Sequence, residues 1–183
     1  MHGSRIDLGV RHILIVYPLL SGVAAYAVVE WFRRGRAYRY VAIGLVAWQV
    51  GATCLAHPDY LAYFNEFAQN RPERVLMESD LDWGQDLHRA SIRLKELGAR
   101  NVAVSYFGTA RVEQSGLPPV QNLVSCEQPV QWALISIRML ASLKLKARED
   151  PRSSALYSCL SSRQPFQRIG KSMLLYRVTA ASP

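Results

Sequence analysis

The sequence predicts two N-terminal transmembrane α-helices followed by a small extracytoplasmic α/β domain, on three observations. Two stretches, 13–29 and 40–56, contain no charged residue. The link between them carries Arg33, Arg34, Arg36 and Arg39 and no acid. From about residue 73 onward, short strand-like apolar runs take turns with helix-spaced segments, the pattern of an α/β layer domain.

Each uncharged stretch is about 17 residues, the short end of what crosses a hydrocarbon core of about 30 Å. Trp31 and Phe32 extend the first, and 57–63 extends the second with the aromatic content of a membrane interface. The expected membrane region is therefore 1–56, with helices at about 13–32 and 40–56. Lys and Arg favour cytoplasmic loops, so the arginine link faces the cytoplasm and everything after about residue 57 lies outside. Glu30, near the cytoplasmic end of the first helix, is expected to snorkel or to pair with Arg33 or Arg34.

Two other readings compete. The first run resembles a signal peptide, with Arg5 and Arg11 ahead of it and Ala25-Tyr26-Ala27 as a cleavage-like site. Cleavage there would send the arginine link outward, against the charge rule. Alternatively both runs are buried helices of a soluble protein, but neither has a polar face, and 183 residues do not supply a core that encloses two such helices.

Residues 57–72 are expected to form an interfacial amphipathic helix, because Tyr60, Tyr63, Phe64 and Phe67 fall at i, i+3, i+4, i+7 and Pro72 closes the segment. The α/β domain then runs over 73–183. Its expected elements are a strand at 74–78, a helix at 82–97 ended by Gly98, and the clearest strand at 101–107. Beyond these come a strand at 131–137, a basic helix at 138–148, a short helix at 153–161 and a last strand at 172–178; whether the sheet is parallel or mixed stays open.

The net charge of +8 is spread over the arginine link, 89–100, 138–152 and the C-terminus, without an aromatic-interleaved stripe, so no nucleic-acid partner is expected. Of the three cysteines, Cys54 sits in the second apolar run; Cys126 and Cys159 can pair in an oxidising compartment if geometry allows. Their spacing offers no CxxC and no metal set, and neither metal nor cofactor is expected.

The run Glu78-Ser79-Asp80-Leu81-Asp82-Trp83-Gly84-Gln85-Asp86 falls between an expected strand and an expected helix, where α/β domains place ligand sites. Asp82 is suited to cap the helix with Gln85 three positions on. Asp80 and Asp86 are then left available, with the Trp83 ring and the Gln85 amide suited to hold a sugar. A capped helix start alone explains much of this run, and Trp83 also suits a membrane anchor. Asp80-x-Asp82 superficially suggests a calcium loop, but the twelfth position is Ser91 rather than glutamate.

Four separated blocks, GVRHILIVYPLL from Gly9, HPDYLAYFNE from His57, SDLDWGQDL from Ser79 and VAVSYFGTA from Val102, resemble in order the C-terminal part of bacterial polytopic GT-C-fold glycosyltransferases of the protein-mannosyltransferase and aminoarabinose-transferase type. Asp7 and Ile15 depart from that pattern, where Asn and Pro are common. Beyond Ala110 only the strand-helix pattern is similar. The resemblance implies transfer of a sugar from a polyprenyl-phosphate donor to an acceptor at the outer membrane face, with a carboxylate as base and cationic groups on the leaving phosphate. It points to Arg11 and His12 as phosphate contacts, to Asp80, Trp83, Gln85 and Asp86 as substrate contacts, and to Tyr60, Asn65 and Glu66 as residues of the same mouth. Interfacial anchoring explains Arg11 and His12 equally well.

The resemblance also implies further transmembrane helices and an acidic first loop that have no counterpart here, so the chain is expected to be a fragment or to work with a separately encoded membrane portion, inactive alone. Its expected partners are a lipid-linked sugar donor and membrane lipids. The alternative is a self-sufficient, membrane-anchored module that binds a carbohydrate, lipid or protein without catalysis.

Overall fold

The computed structural model describes residues 15–63 and 82–178, and the chain divides into two compact units, Met1–Glu66 and Phe67–Pro183. In the first, α1 (Val16–Arg34) and α2 (Arg36–Ala56) pack as a helical hairpin turned at Gly35. Gly35 adopts φ +147°, a backbone conformation that side chains disfavour. Arg39 closes the turn by donating to the Phe32 carbonyl at 3.3 Å and lying over the Phe32 ring. Glu30 pairs with Arg34 at 3.5 Å, one of its two expected partners.

Apart from Ala42, Ala52 and Ala56 of α2, the hairpin buries none of its residues fully, and Leu19, Leu20, Val23, Ile43, Leu45, Trp48 and Leu55 are exposed. Among the described residues only α2 is long and apolar enough to cross a membrane. The expectation of two transmembrane helices is therefore met by length and composition for α2 and not for α1. Glu30, Arg33 and Arg34 occupy the end of α1, so its described apolar part, from Val16 to Val29, spans only roughly 21 Å at 1.5 Å per residue.

The interfacial helix expected at 57–72 is also corrected where it is described: the chain after α2 forms one 3₁₀ turn, Tyr60–Ala62, with Tyr63 extended. Residues 64–72 and the expected strand at 74–78 lie outside the described residues.

The second unit is an α/β domain with a mixed five-stranded sheet in the order β2-β1-β3-β5-β4. Its strands are β1 (Val102–Ser105), β2 (Val120–Asn122), β3 (Trp132–Ser136), β4 (Gln167–Ile169) and β5 (Met173–Arg177). β1 runs parallel to β2 and β3; β5 runs antiparallel to β3 and β4. The period-2 alternation of strands sorts their side chains onto two cores. Val102, Val104, Leu134 and Leu175 pack with Leu87, Ala90 and Leu94 of α3 (Leu87–Glu96). Ala103, Ala133, Ile135 and Tyr176 face the other way and pack with Leu143 of α4 (Ile137–Lys146) and with Leu156 and Leu160 of α5 (Pro151–Ser161).

Helix ends follow local chemistry. α3 closes as expected at Gly98, whose N–H donates to Lys95 while Ala99 N–H donates to Leu94, the double bond of a left-handed cap. Ser136 Oγ caps α4 by accepting from Met139 N–H. α5 begins at Pro151, earlier than expected, because the Asp150 carboxylate accepts from the amides of Arg152 and Ser153. β2 and β4 were not expected; each is three residues long, largely polar, and held by main-chain pairing to a stronger neighbour.

One tie joins the domain's distant parts. Asp86, fully buried, accepts at Oδ2 from Lys171 N–H (3.0 Å), Ser172 N–H (3.0 Å) and Ser172 Oγ (2.7 Å), and at Oδ1 from Arg89 (2.9 Å). It fastens the start of α3 to the β4–β5 turn. A side chain at Gly170 would strike this carboxylate, and Gly170 takes φ +56°. Cys126 and Cys159 form a disulfide that joins the β2–β3 loop to α5.

Asp86→Ala leaves the two buried Ser172 donors and the part-buried Lys171 amide without their acceptor and is expected to destabilise the domain by about 3–5 kcal/mol, measured by chemical denaturation. Replacing both Cys126 and Cys159 by Ala releases a closure spanning 33 residues and is expected to lower stability by about 4 kcal/mol in the same assay.

Candidate functional site

The Asp82–Asp86 segment leads into α3, but not as a capping box. Asp86, not Asp82, occupies the N-cap position, and its side chain makes no cap bond. Asp82 Oδ1 accepts instead from Gly84 N–H (3.2 Å), and Gln85 Oε1 from Trp83 N–H (2.8 Å), so both side chains brace the turn that precedes the helix. Asp86, expected to be available to a ligand, is consumed by the tie to the β4–β5 turn. That correction has a plain cause: a carboxylate with no exposed surface and four donors has nothing left to offer.

Trp83 remains, 40 % exposed. With Asp82, Tyr106, Phe107, Gly108 and Thr109 it lines a cleft of about 310 Å³. Tyr106 and Phe107 follow directly on β1, so the cleft opens beyond the carboxyl end of that strand, and Asp82 reaches the Ser136 hydroxyl at the end of β3, its parallel neighbour. The connection leaving β1 packs Val112 and Leu117 on the α3 face, whereas β3 leads into α4 on the opposite face. Connections that part in this way open a crevice at the strand ends, the usual ligand position in such sheets.

Two glycines make room for the Tyr106 ring. At Gly84, which takes φ +89°, a Cβ would lie 2.6 Å from both the Tyr106 hydroxyl and the Ala110 methyl; at Gly108 it would run into the Tyr106 ring. The Trp-Gly and Phe-Gly pairs thus allow the two loops to close around one phenol.

Arg138, in the first turn of α4, stacks its guanidinium on Phe107 with 3.6 Å to the ring centroid. Four buried side-chain polar atoms close no hydrogen bond of full geometry among the described residues, and three belong to this neighbourhood: Asp82 Oδ2, Tyr106 Oη and Arg138 Nη1, although the Ser136 hydroxyl approaches Asp82 and the Ala110 amide approaches Tyr106. Leaving a buried polar atom unpaired costs about 1–3 kcal/mol, so their concentration marks a place where stability is given up.

The electrostatics agree. Burial pushes the Asp82 carboxyl up to about 6, against the Gly84 amide and Ser136 hydroxyl that favour its charged form; the nearby Asp86 charge raises it further and Arg138 lowers it. Burial also raises Tyr106, opposed by the Ala110 amide and reinforced by Asp82. An acid that titrates near neutrality can accept or return a proton. Among the described residues no group of three or more His, Cys, Asp or Glu side chains is placed to hold a metal.

Arg11, His12, Asp80, Asn65 and Glu66 lie outside the described residues; Tyr60 lies in the 3₁₀ turn of the first unit. Sequence reasoning missed Asp82 as a buried acid, and Tyr106, Phe107 and Arg138 altogether. The aromatic pair before Gly108 was the available signal, because a strand that runs into Tyr-Phe-Gly ends where a crevice opens.

Because the folded pKa of Asp82 lies above its ordinary 3.8, the stability gained on protonation is complete below about pH 3.8 and is lost as pH rises through about 6. The difference is about 3 kcal/mol at 1.36 kcal/mol per pKa unit. Asp82→Asn is therefore expected to stabilise the domain at pH 8 and to flatten its stability profile between pH 4 and 7, measured by denaturant titration across pH. No protein-family model, curated protein or solved structure matches this chain.

Proposed function

We propose that this chain is the carboxy-terminal part of a membrane glycosyltransferase that uses a polyprenyl-phosphate-linked sugar at the outer face of the membrane, and that the Asp82–Tyr106 cleft holds the sugar. The observation that carries this reading is the cleft itself: aromatic walls beside buried polar atoms with hydrogen bonds left to make, at the carboxyl end of β1. Aromatic rings take the C–H face of a pyranose, and a few placed polar groups fix its hydroxyls. Asp82 and Trp83 of the SDLDWGQDL block and Tyr106 to Thr109 of the VAVSYFGTA block, two of the blocks that resemble the glycosyltransferase family, line it.

Orientation has two supports. The arginine link between α1 and α2 favours the cytoplasmic side, and the Cys126–Cys159 disulfide suits an oxidising compartment. The exposed apolar surface of the hairpin suits lipid, with α1 as a second membrane helix beside α2.

The second reading, a membrane-anchored module that binds carbohydrate without catalysis, is favoured by one observation. Asp86 is consumed internally, so among the described residues of the cleft Asp82 is the sole carboxylate, with no second acid to share the work.

The intact chain in lipid nanodiscs, titrated with undecaprenyl-phosphate-linked mannose and with undecaprenyl phosphate alone, tests the sugar assignment through tryptophan fluorescence. The linked sugar is expected to change the emission, and Trp83→Phe to remove that change. An equal response to both lipids, or a response that survives Trp83→Phe, overturns the assignment.

A further inference from the structure

We infer that a second cleft, at the opposite end of the sheet from the Asp82–Tyr106 cleft, binds a phosphate monoester through Arg100 and Arg177, an assignment independent of the carbohydrate reading. Its place follows from the topology. β1 and β3 run parallel and β5 runs antiparallel to β3, so Asn101 before β1, Gln131 before β3 and Arg177 at the end of β5 all come to one edge. Tyr106 and Phe107 leave β1 at the other edge, about 13 Å away for a four-residue strand.

The cleft has a volume of about 400 Å³; Arg100, Asn101, Gln131 and Arg177 supply its polar lining, and Val130 and Val178 belong to its apolar part. Among the described residues no Asp or Glu lines it. Nor, among the described residues, does the side chain of Arg100 or Arg177 take part in an ion pair or a hydrogen bond. Arg34, Arg89 and Arg93 differ in this respect, since each is held by a nearby carboxylate. Arg177 stands opposite Trp132 in the β3–β5 register, on the sheet face covered by α3, because Leu175 two positions before it packs there. Arg100 follows closely on the Gly98 cap that ends α3.

The charge of this pair selects the ligand. The C-terminus of α3 contributes roughly half a negative charge nearby, and three of its last carbonyls are already taken by the Leu97, Gly98 and Ala99 amides. Two full positive charges outweigh it. A single carboxylate would balance one guanidinium and leave the other unmatched. A phosphate monoester carries close to two negative charges at neutral pH and offers three acceptor oxygens to two planar forks of donors. The Asn101 and Gln131 amides add neutral donors to the same lining, and Val130 and Val178 offer an apolar seat to the organic part of the ester.

The test is isothermal titration calorimetry of the intact chain in phosphatidylcholine nanodiscs at pH 7.5, with phenyl phosphate, inorganic phosphate and benzoate. Phenyl phosphate is expected to bind once per chain and more tightly than either of the others. Arg100→Gln and Arg177→Gln are each expected to weaken it about tenfold, the loss of one charged hydrogen-bonded pair. Arg177→Lys, which keeps the charge and loses the fork, retains part of the affinity, and Lys146→Gln on α4 leaves it unchanged. Absence of phenyl phosphate binding, equal affinity for benzoate, affinity that survives both arginine-to-glutamine changes, or an equal loss in Lys146→Gln overturns the inference. Phosphatidic acid added to the discs identifies the source of the ester. Suppression of the phenyl phosphate response points to a lipid headgroup and an unchanged response to a soluble ester, and the phosphate site stands in either case.

Discussion

The buried carboxylate of Asp86 is the constraint on which the α/β domain's arrangement turns. It is the point where the start of α3 meets the turn between β4 and β5, segments 85 and 86 positions away along the chain. Three donors from Lys171 and Ser172 converge on one oxygen and Arg89 holds the other, which satisfies the charge without water. With the first turn of α3 pinned, Leu87, Ala90 and Leu94 are set on the sheet face formed by Val102, Val104, Leu134 and Leu175. The short segment before it, Asp82 to Gln85, is then drawn against the end of β1.

That placement explains why the cleft is where it is. A parallel pair, β1 and β3, sends its outgoing chains to opposite faces of the sheet, and the crevice between them needs a third wall. The pinned Asp82–Gln85 turn supplies it. Gly84 and Gly108 are the local concession, since side chains at either position would collide with Tyr106. The same geometry buries Asp82 beside Tyr106 and Arg138 with one polar atom of each incompletely paired. Polar groups are fully paired a few residues away at Asp86, so the incomplete pairing in the cleft is not a general feature of the domain.

The sequence made the layer architecture legible because burial repeats along it. NVAVSYF and QWALISI alternate between two apolar faces, and Gly98 marks the end of α3. β2 and β4 were illegible because their stability is borrowed from β1 and β5 by backbone pairing, which leaves no side-chain pattern. The DLDWGQD run was legible as a place but not in its assignments. Two carboxylates four positions apart, Asp82 and Asp86, exchange roles according to which one meets Ser172, and nothing local announces that meeting. Tyr106 and Phe107 continue the apolar character of a strand, so only the three-dimensional end of β1 at Ser105 separates wall residues from core residues. Arg138 reads in the sequence as one more solvated base on a basic helix, since only the fold sets Phe107 beneath it.

Asp82 and Asp86 also show how one fold gives two buried carboxylates of the same type different surroundings. Both are buried, at 2 % and 0 % exposure, so burial by itself predicts neither outcome. Asp86 has an ion pair and three additional donors, which replace the hydration it loses. Asp82 accepts from the Gly84 amide, and the Ser136 hydroxyl and Arg138 also favour its charged form, but desolvation outweighs them and its carboxyl rises to about 6. The ionised form of Asp82 therefore costs the domain stability at neutral pH. An acid held near its titration point at the base of an aromatic cleft would be eliminated easily by substitution to Asn or Leu if stability alone governed the position. Asp82 Oδ2, Tyr106 Oη and Arg138 Nη1 all lie incompletely paired in one neighbourhood, where an incoming polar partner would meet groups with hydrogen bonds left to make.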